Sequence, residues 1–331
     1  MDWGAIVQNA LRAAFGLEAA YFALAAIGLN VHFGYTGLLN FGQAGFMAVG
    51  AYGLAAGVAT FNLPFGVALL LGLAAAVVLA LVLGAPTLRL RADYLAIATI
   101  AMAEILRLVI GSVSLADYFG GRDGLQQFAG TFQGWNPYSA SVDFGVFTVR
   151  PYNLWVMTVG WILVALSCLV VWALMRSPWG RVLKSIREDE EAVRSLGKNV
   201  YAYKMQSLVL GGLFGALAGF MVALQQAAIN PDNFSTDVTF FTYTVLLLGG
   251  AARVFGPVVG SIIFWFVLTF AGNFFQQATA GTSPLIPTWA MSDIQAGLVQ
   301  FILVGLALML LMIYRPQGIF GDRKELAIDG R

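Results

Sequence analysis

Long unbroken apolar runs constrain this chain before any other feature does. A helix rises about 1.5 Å per residue, so roughly 20 apolar residues cross a hydrocarbon core about 30 Å thick. Runs of that kind recur at 16–33, 63–86, 94–111, 152–175, 205–226, 255–275 and 294–314. Two more, 37–60 and 240–252, are shorter or rich in glycine and read as broken or re-entrant helices. Such backbone survives in a membrane only where protein buries it or where it lines a wet cavity. Of the 331 residues, 59% are hydrophobic and 11% charged, against about 45–50% and about 25% in soluble domains. The expected fold is therefore an all-α integral membrane protein. It is a polytopic bundle of about nine segments, within a range of 8–10, forming one membrane domain over 1–331 with lipid as its solvent.

Positive charge sets the orientation. Fourteen of the eighteen Lys and Arg residues fall in four connections. They are the 176–204 segment, the tail 315–331, the pair Arg89 and Arg91, and Arg253. An even number of runs separates these connections, so all four can lie on the cytoplasmic side. Segments 112–151, 227–239 and 276–293 then lie outside. Counting back from Arg89 through three spans puts the N-terminus outside as well, although Arg12 opposes that, and a re-entrant 37–60 would reverse it. No short apolar core with a small-residue cleavage site begins the chain, which reads as uncleaved.

The 176–204 segment carries the densest chemistry. Pro178 and Gly180 break the preceding span, and Gly197 offers a C-terminal stop. A short helix is expected between them, with Val182, Ile186, Val193 and Leu196 apolar. Arg181, Lys184, Arg187, Glu188, Asp189, Glu190, Glu191 and Arg194 make its other face charged. A solvated helix lying on the membrane is the plain reading. The functional one is a coupling helix that docks into a groove on a cytoplasmic partner and passes a push to the bundle.

Seven glycines crowd 34–57, interleaved with Tyr35, Thr36, Asn40 and Gln43. Small residues let helices approach closely in lipid, while polar groups on irregular intramembrane backbone mark a solute path. Both readings stand for this stretch, whereas Gly211, Gly215 and Gly219 read as packing positions. Glu104 and Arg107, three apart inside a span, can pair on one helix face. They are a structural pair, or else Glu104 lies on the path or a subunit interface. Thr244-Val-Leu-Leu echoes Thr36-Gly-Leu-Leu, too short a match to establish a repeat. His32 and Cys168, each the sole residue of its type, read as passive core positions.

Several classes are excluded. One histidine cannot build a multi-histidine metal site, and no cofactor is expected. There is no P-loop, no Gly-x-Ser-x-Gly and no His-Glu-x-x-His, so ATP energy would have to come from another chain. No basic stripe with interleaved aromatics suggests nucleic acid. Nor does the sequence display a charged clamp for the carboxylate or amine of an amino acid.

Four stretches together resemble the M-type membrane permeases of ATP-binding-cassette importers for branched-chain amino acids. They are Gly34-Tyr-Thr-Gly-Leu-Leu-Asn-Phe-Gly-Gln-Ala-Gly-Phe46 with Gly50-Ala-Tyr52; Leu88–Ile97 with Glu104-Ile-Leu-Arg107; Ser177–Gly197; and Leu248-Gly-Gly through Gly256-Pro257 with the tail Tyr314–Gly321. Gly121-Arg-Asp-Gly124 departs from the Gly-Pro-x-Gly-like turn expected in the outer loop. The resemblance implies a multi-pass protein of a prokaryotic cytoplasmic membrane that catalyses no covalent chemistry itself. It implies four kinds of contact: a sister permease, two cytoplasmic ATPases gripping the 180–197 region, an extracytoplasmic solute-binding protein, and lipid. Urea or another amide is the alternative solute. An ion-coupled secondary transporter, with Glu104 as a coupling acid, is the alternative class.

Overall fold

The computed structural model describes residues 2–143, 148–279, 293–314 and 318–321. The cationic tail residues Arg315, Arg323, Lys324 and Arg331, and most of the segment 276–293, lie outside the described residues. Each of the nine apolar runs contains a helix, although 37–42 and 250–252 are not helical. The chain proceeds through α1 (Trp3–Phe15), α2 (Leu17–Leu29), a π-helical turn (Asn30–Tyr35), α3 (Gln43–Ala59), α4 (Phe65–Thr87) and α5 (Ala92–Ile110). Short pieces follow: α6 (Ala116–Phe119), β1 (Leu125–Gln126), α7 (Gly130–Gly134), β2 (Val142–Asp143) and β3 (Thr148–Val149). Then come α8 (Pro151–Arg176), α9 (Pro178–Glu188), α10 (Glu190–Ser195), α11 (Val200–Gln226), β4 (Ala228–Ile229), α12 (Thr236–Gly249), α13 (Gly256–Thr279) and α14 (Asp293–Tyr314).

Among the described residues, five helices are long and apolar enough to cross a membrane alone: Trp3–Tyr35 taken together, α4, α8, α11 and α13. A sixth is α5 with the bent 113–119 segment that continues it. Helices α3, with 17 residues, and α12, with 14, are shorter, and α14 runs over 22 residues, most of them apolar. The 37–60 run is thus a non-helical stretch, 37–42, followed by one helix. The N-terminal helix α1 is an addition to the expected set, packed antiparallel along α13 with Asp2 N–H donating to Gln277 Oε1 at 2.9 Å.

The connections sort onto two faces. Arg89 and Arg91 share a cleft with Glu188–Glu191, Arg194 and Lys204, and Arg253 shares another with Arg176 and Lys184. On the opposite face β1 pairs antiparallel with β4, Thr60 Oγ1 donates to the Tyr118 carbonyl, and Arg107 meets Asp232. The face bearing these basic connections is called the basic face below.

At the centre stands α11. Its apolar window is 78% buried, against 33% for α4 and 28% for α13, so it serves as the hub on which the others pack. Close approach is made possible by its glycines, as the sequence anticipated. A Cβ at Gly219 would stand 2.0 Å from the Met47 carbonyl oxygen, and one at Gly211 would stand 2.2 Å from His32 Nε2. This chain leaves apolar side chains uncovered on the outer surfaces of α4 and α8, where Leu70, Val78, Val82, Ile162, Leu166 and Leu169 are exposed.

Candidate functional site

The backbone between Tyr35 and Gln43 leaves helical geometry at membrane depth, so its polar groups must be satisfied by other means. Gly37, at φ +74°, turns the chain back after the π-helical turn. Leu38 N–H then donates to the His32 carbonyl at 2.9 Å, and Phe41 N–H donates to Thr99 Oγ1 on α5 at 2.9 Å. Gly42 N–H donates to Asn40 Oδ1, and Ala44 N–H to Thr239 Oγ1 on α12 at 3.0 Å. Tyr243 Oη donates to the Asn40 carbonyl at 3.0 Å. Side chains from α5 and α12 thereby replace the missing helix bonds.

The same stretch gathers four of the expected path residues. Tyr35, Thr36, Asn40 and Gln43 are all buried, with Thr36 against Ser207 on α11 and Gln43 against Ala25 on α2. Because Asn40 Oδ1 accepts from Gly42, its amide Nδ2 faces His32 Nδ1 at 2.9 Å as a donor. His32 Nδ1 is therefore the acceptor, and Nε2–H donates to the Leu208 carbonyl at 3.1 Å. Thr36 Oγ1 donates to the Val31 carbonyl at 2.8 Å and lies 2.7 Å from Ser207 Oγ. Gln43 Nε2 donates to the Ala25 carbonyl at 3.1 Å, while its buried Oε1 has no partner among the described residues. Asn30 ties this region to the α12–α13 turn, accepting from Ala252 N–H and donating to the Arg253 carbonyl, each at 2.8 Å.

Glu104 does not join this cluster. It pairs with Arg107 at 2.6 Å, and Arg107 also reaches Asp232 at 2.5 Å near the opposite face. The i, i+3 pairing expected from the sequence is present, extended by a carboxylate from a distant connection.

On the basic face the expected single helix is two. Asp189 leaves helical geometry at φ −153°, and its side chain caps α10 by accepting from Ala192 N–H at 2.9 Å. Gly197, at φ +77°, ends α10 as anticipated. Gly197 N–H reaches the Arg194 carbonyl and Lys198 N–H the Val193 carbonyl, the paired bonds of a Schellman stop. Leu183, Ile186 and Val193 are buried against the bundle, but Leu196, expected to be on the apolar side, is 78% exposed because the Gly197 turn points it outward.

The charged residues of α9 and α10 divide by role. Arg187 Nη1 donates to the Gly34 carbonyl at 2.5 Å, and Lys184 lies over the Tyr35 ring at 5.8 Å. Glu190 pairs with Arg194 at 2.8 Å and with Lys204. Arg181, Glu188 and Glu191 are exposed. Glu188, Asp189, Glu190 and Arg194 border a cleft of about 870 Å³ whose other wall carries Arg89 and Arg91.

Residues 13–315 match the family described as branched-chain amino acid transport system, permease component. The chain belongs to that family. Similar proteins include the high-affinity branched-chain amino acid transport system permease protein LivM of Escherichia coli, 29% identical over 311 residues. That alignment covers 90% of this chain and 67% of the relative. The probable LivM of Methanocaldococcus jannaschii is 26% identical, with 93% and 92% covered. An autoinducer 2 import system permease protein, LsrC of Escherichia coli, is 29% identical over 154 residues, covering 45% of this chain and 42% of its own. Among solved structures, a chain of "PsaBC from Streptococcus pneumoniae in complex with Fab" covers 95% of this chain at 15% identity, with a TM-score of 0.45. The family is a transport component of the cytoplasmic membrane, in keeping with the spanning helices described above.

The polar network was only partly visible beforehand. Asn30, Thr99, Ser207, Thr239 and Tyr243 were not singled out, although a polar side chain inside an apolar run was the signal available for each. His32, read as passive, is a fully bonded core histidine.

Proposed function

We propose that this chain is the membrane permease subunit of an ATP-binding-cassette importer for branched-chain amino acids. The observation that carries the coupling part of this reading is Arg187 bound to the Gly34 carbonyl. One end of the contact sits on the charged loop helix α9. The other sits on the non-helical turn that leads into the buried polar cluster, so movement of α9 is transmitted to that backbone without an intervening element.

In this reading the basic face is cytoplasmic. The 176–204 loop then meets two ATPase subunits, with the 870 Å³ cleft and the exposed Arg181, Glu188, Glu191 and Leu196 offering charge and one apolar anchor. The opposite face, formed by 112–143 and 227–235, receives solute from an extracytoplasmic binding protein, and a sister permease completes the pathway. Tyr35, Thr36, Asn40 and Gln43 line the gate that this movement opens. The chain has no ATPase of its own, and Glu104 is a structural partner of Arg107 and Asp232.

Co-purification tests the reading. Tagged chain solubilised from its native membrane is expected to bring with it a P-loop ATPase and a second permease, and Glu188→Arg with Glu191→Arg is expected to release the ATPase while keeping the permease. A chain that purifies alone and transports solute alone in an ion gradient contradicts it.

A further inference from the structure

Cavities on the basic face differ in the kind of charge they carry. The cleft beside α10 is balanced, with Glu188, Asp189, Glu190 and Glu191 set against Arg89, Arg91, Arg194 and Lys204. Another, of about 590 Å³, is lined by Arg176, Lys184 and Arg253 and by no aspartate or glutamate among the described residues. A recess with charge of one sign and low-dielectric walls concentrates the opposite ion.

Three elements place these cations. Arg176 is the last residue of α8, and its guanidinium lies over the Trp172 ring at 4.1 Å. Lys184, on α9, lies over the Tyr35 ring, its Nζ 5.8 Å from the centroid. The Arg253 carbonyl accepts from Asn30 Nδ2 at 2.8 Å, which fixes the α12–α13 turn at the cavity wall. Neither Arg176 nor Lys184 forms an ion pair among the described residues. The N-terminus of α13 at Gly256 completes the wall and adds the positive end of a helix dipole.

The surroundings are apolar. Met175, Phe255 and Val259 share the lining, and Phe255 is 65% exposed. On α8 the exposed residues Ile162, Leu166, Leu169 and Trp172 lead to Arg176 in steps of three or four, which keeps them on one helix face. Trp172 and Arg176 stand where the span meets the basic connection, the place that aromatic and snorkelling cationic side chains take at a membrane surface. The stripe is about 20 Å long at 1.5 Å per residue. A cationic recess at the end of such a stripe suits a phosphate joined to acyl chains, whereas a free phosphate would leave the stripe uncovered.

We infer that this cavity binds the phosphodiester headgroup of an anionic phospholipid from the leaflet on the basic side. Arg176, Lys184 and Arg253 take the phosphate, and the acyl chains lie along the α8 stripe and against Phe255. A zwitterionic lipid fits less well, because its own ammonium meets three cations. The bound lipid bridges the end of α8, the loop helix α9 and the α12–α13 turn. The inference rests on the reading above that the basic face is cytoplasmic, where anionic lipids give the leaflet its negative surface potential.

The test uses the whole importer purified in detergent and titrated with dioctanoyl phosphatidylglycerol, dioctanoyl phosphatidylcholine and inorganic phosphate, with bound ligand counted by native mass spectrometry. Phosphatidylglycerol is expected to bind about tenfold or more tightly than either of the others. Arg176→Gln with Arg253→Gln is expected to bring it down to the phosphatidylcholine level. Arg176→Lys with Arg253→Lys keeps the charge and is expected to keep the preference, which separates loss of the site from misfolding. A phosphatidylglycerol carrying a photoreactive diazirine in its headgroup is expected to label 172–184 and 252–259. The inference is overturned if the two lipids bind equally, if the glutamine variant keeps the preference, or if the label falls elsewhere. Inorganic phosphate that binds as tightly as phosphatidylglycerol and displaces it would make this a soluble-anion site and overturn the lipid assignment. The titration needs neither solute nor ATP. An importer that prefers phosphatidylglycerol yet shows no ATP-driven leucine uptake therefore removes the transport reading alone, and intact uptake without the preference removes this site alone.

Discussion

Arg187 on the loop helix α9 donates to the carbonyl of Gly34, 153 positions earlier, and its aliphatic stem packs against the left-handed turn at Gly37. A Cβ at Gly37 would stand 3.3 Å from Arg187 Cγ, so the arginine stem occupies the space a side chain there would need. The contact connects the charged loop helix α9 to the end of the π-helical turn and the non-helical stretch 37–42 that follows it.

Arg187→Ala is therefore expected to lower solute uptake about tenfold or more while ATP hydrolysis continues, because a charge-assisted bond of roughly 1.5–3 kcal/mol is lost at the junction. Uptake and phosphate release measured on the same proteoliposomes give the ratio. Glu188→Ala, one position along but turned to solvent, is expected to leave the bundle's stability unchanged and to act only through the partner.

Asn40→Leu removes the donor to His32 Nδ1 and the acceptor for Gly42 N–H, leaving both unsatisfied in the core. A loss of about 1–3 kcal/mol for each buried group left unpaired is expected, read as a lower melting temperature of the purified protein. Gln43→Leu differs, because Gln43 makes one bond and already holds an unpaired buried oxygen. It is expected to keep stability close to wild type and to impair uptake, and unchanged uptake kinetics would return Gln43 to packing.

Gly211→Ala is expected to displace His32 from its bond to Leu208, since the added Cβ would fall 2.2 Å from Nε2. Overpacking of this kind costs about 1–3 kcal/mol. Lower yield of assembled protein, together with loss of the downfield Nε2 proton signal of the histidine in NMR, is the outcome that checks it.

The long helical runs were legible because hydrophobicity over about 20 residues reports directly on the lipid environment. The charged loop was legible because charge placement reports on sidedness. What stayed hidden depended on three-dimensional neighbours. Helix α1 lacks a long apolar run, since its exposed face carries Gln8, Asn9 and Arg12. The break at Asp189 arises from a single capping side chain inside a strongly helical stretch. The association of Asn40 with His32 and Tyr243, and of Phe41 with Thr99, required knowing that α5, α12 and the π-helical turn converge on one stretch.

Asp232→Asn is expected to alter stability by no more than about 1 kcal/mol, because Asp232 is 82% exposed and its pair with Arg107 is screened by solvent. Thermal unfolding checks it, and uptake within about twofold of wild type would keep the Glu104–Arg107–Asp232 group structural.

The central claim is tested most directly by uptake into vesicles in which this chain is reconstituted with its sister permease, ATPases and binding protein. Labelled leucine is expected to accumulate only when ATP is present on the ATPase side, and excess urea is expected not to compete. Leucine or any other solute accumulating in vesicles that hold this chain alone, driven by an ion gradient and indifferent to ATP, would contradict the account.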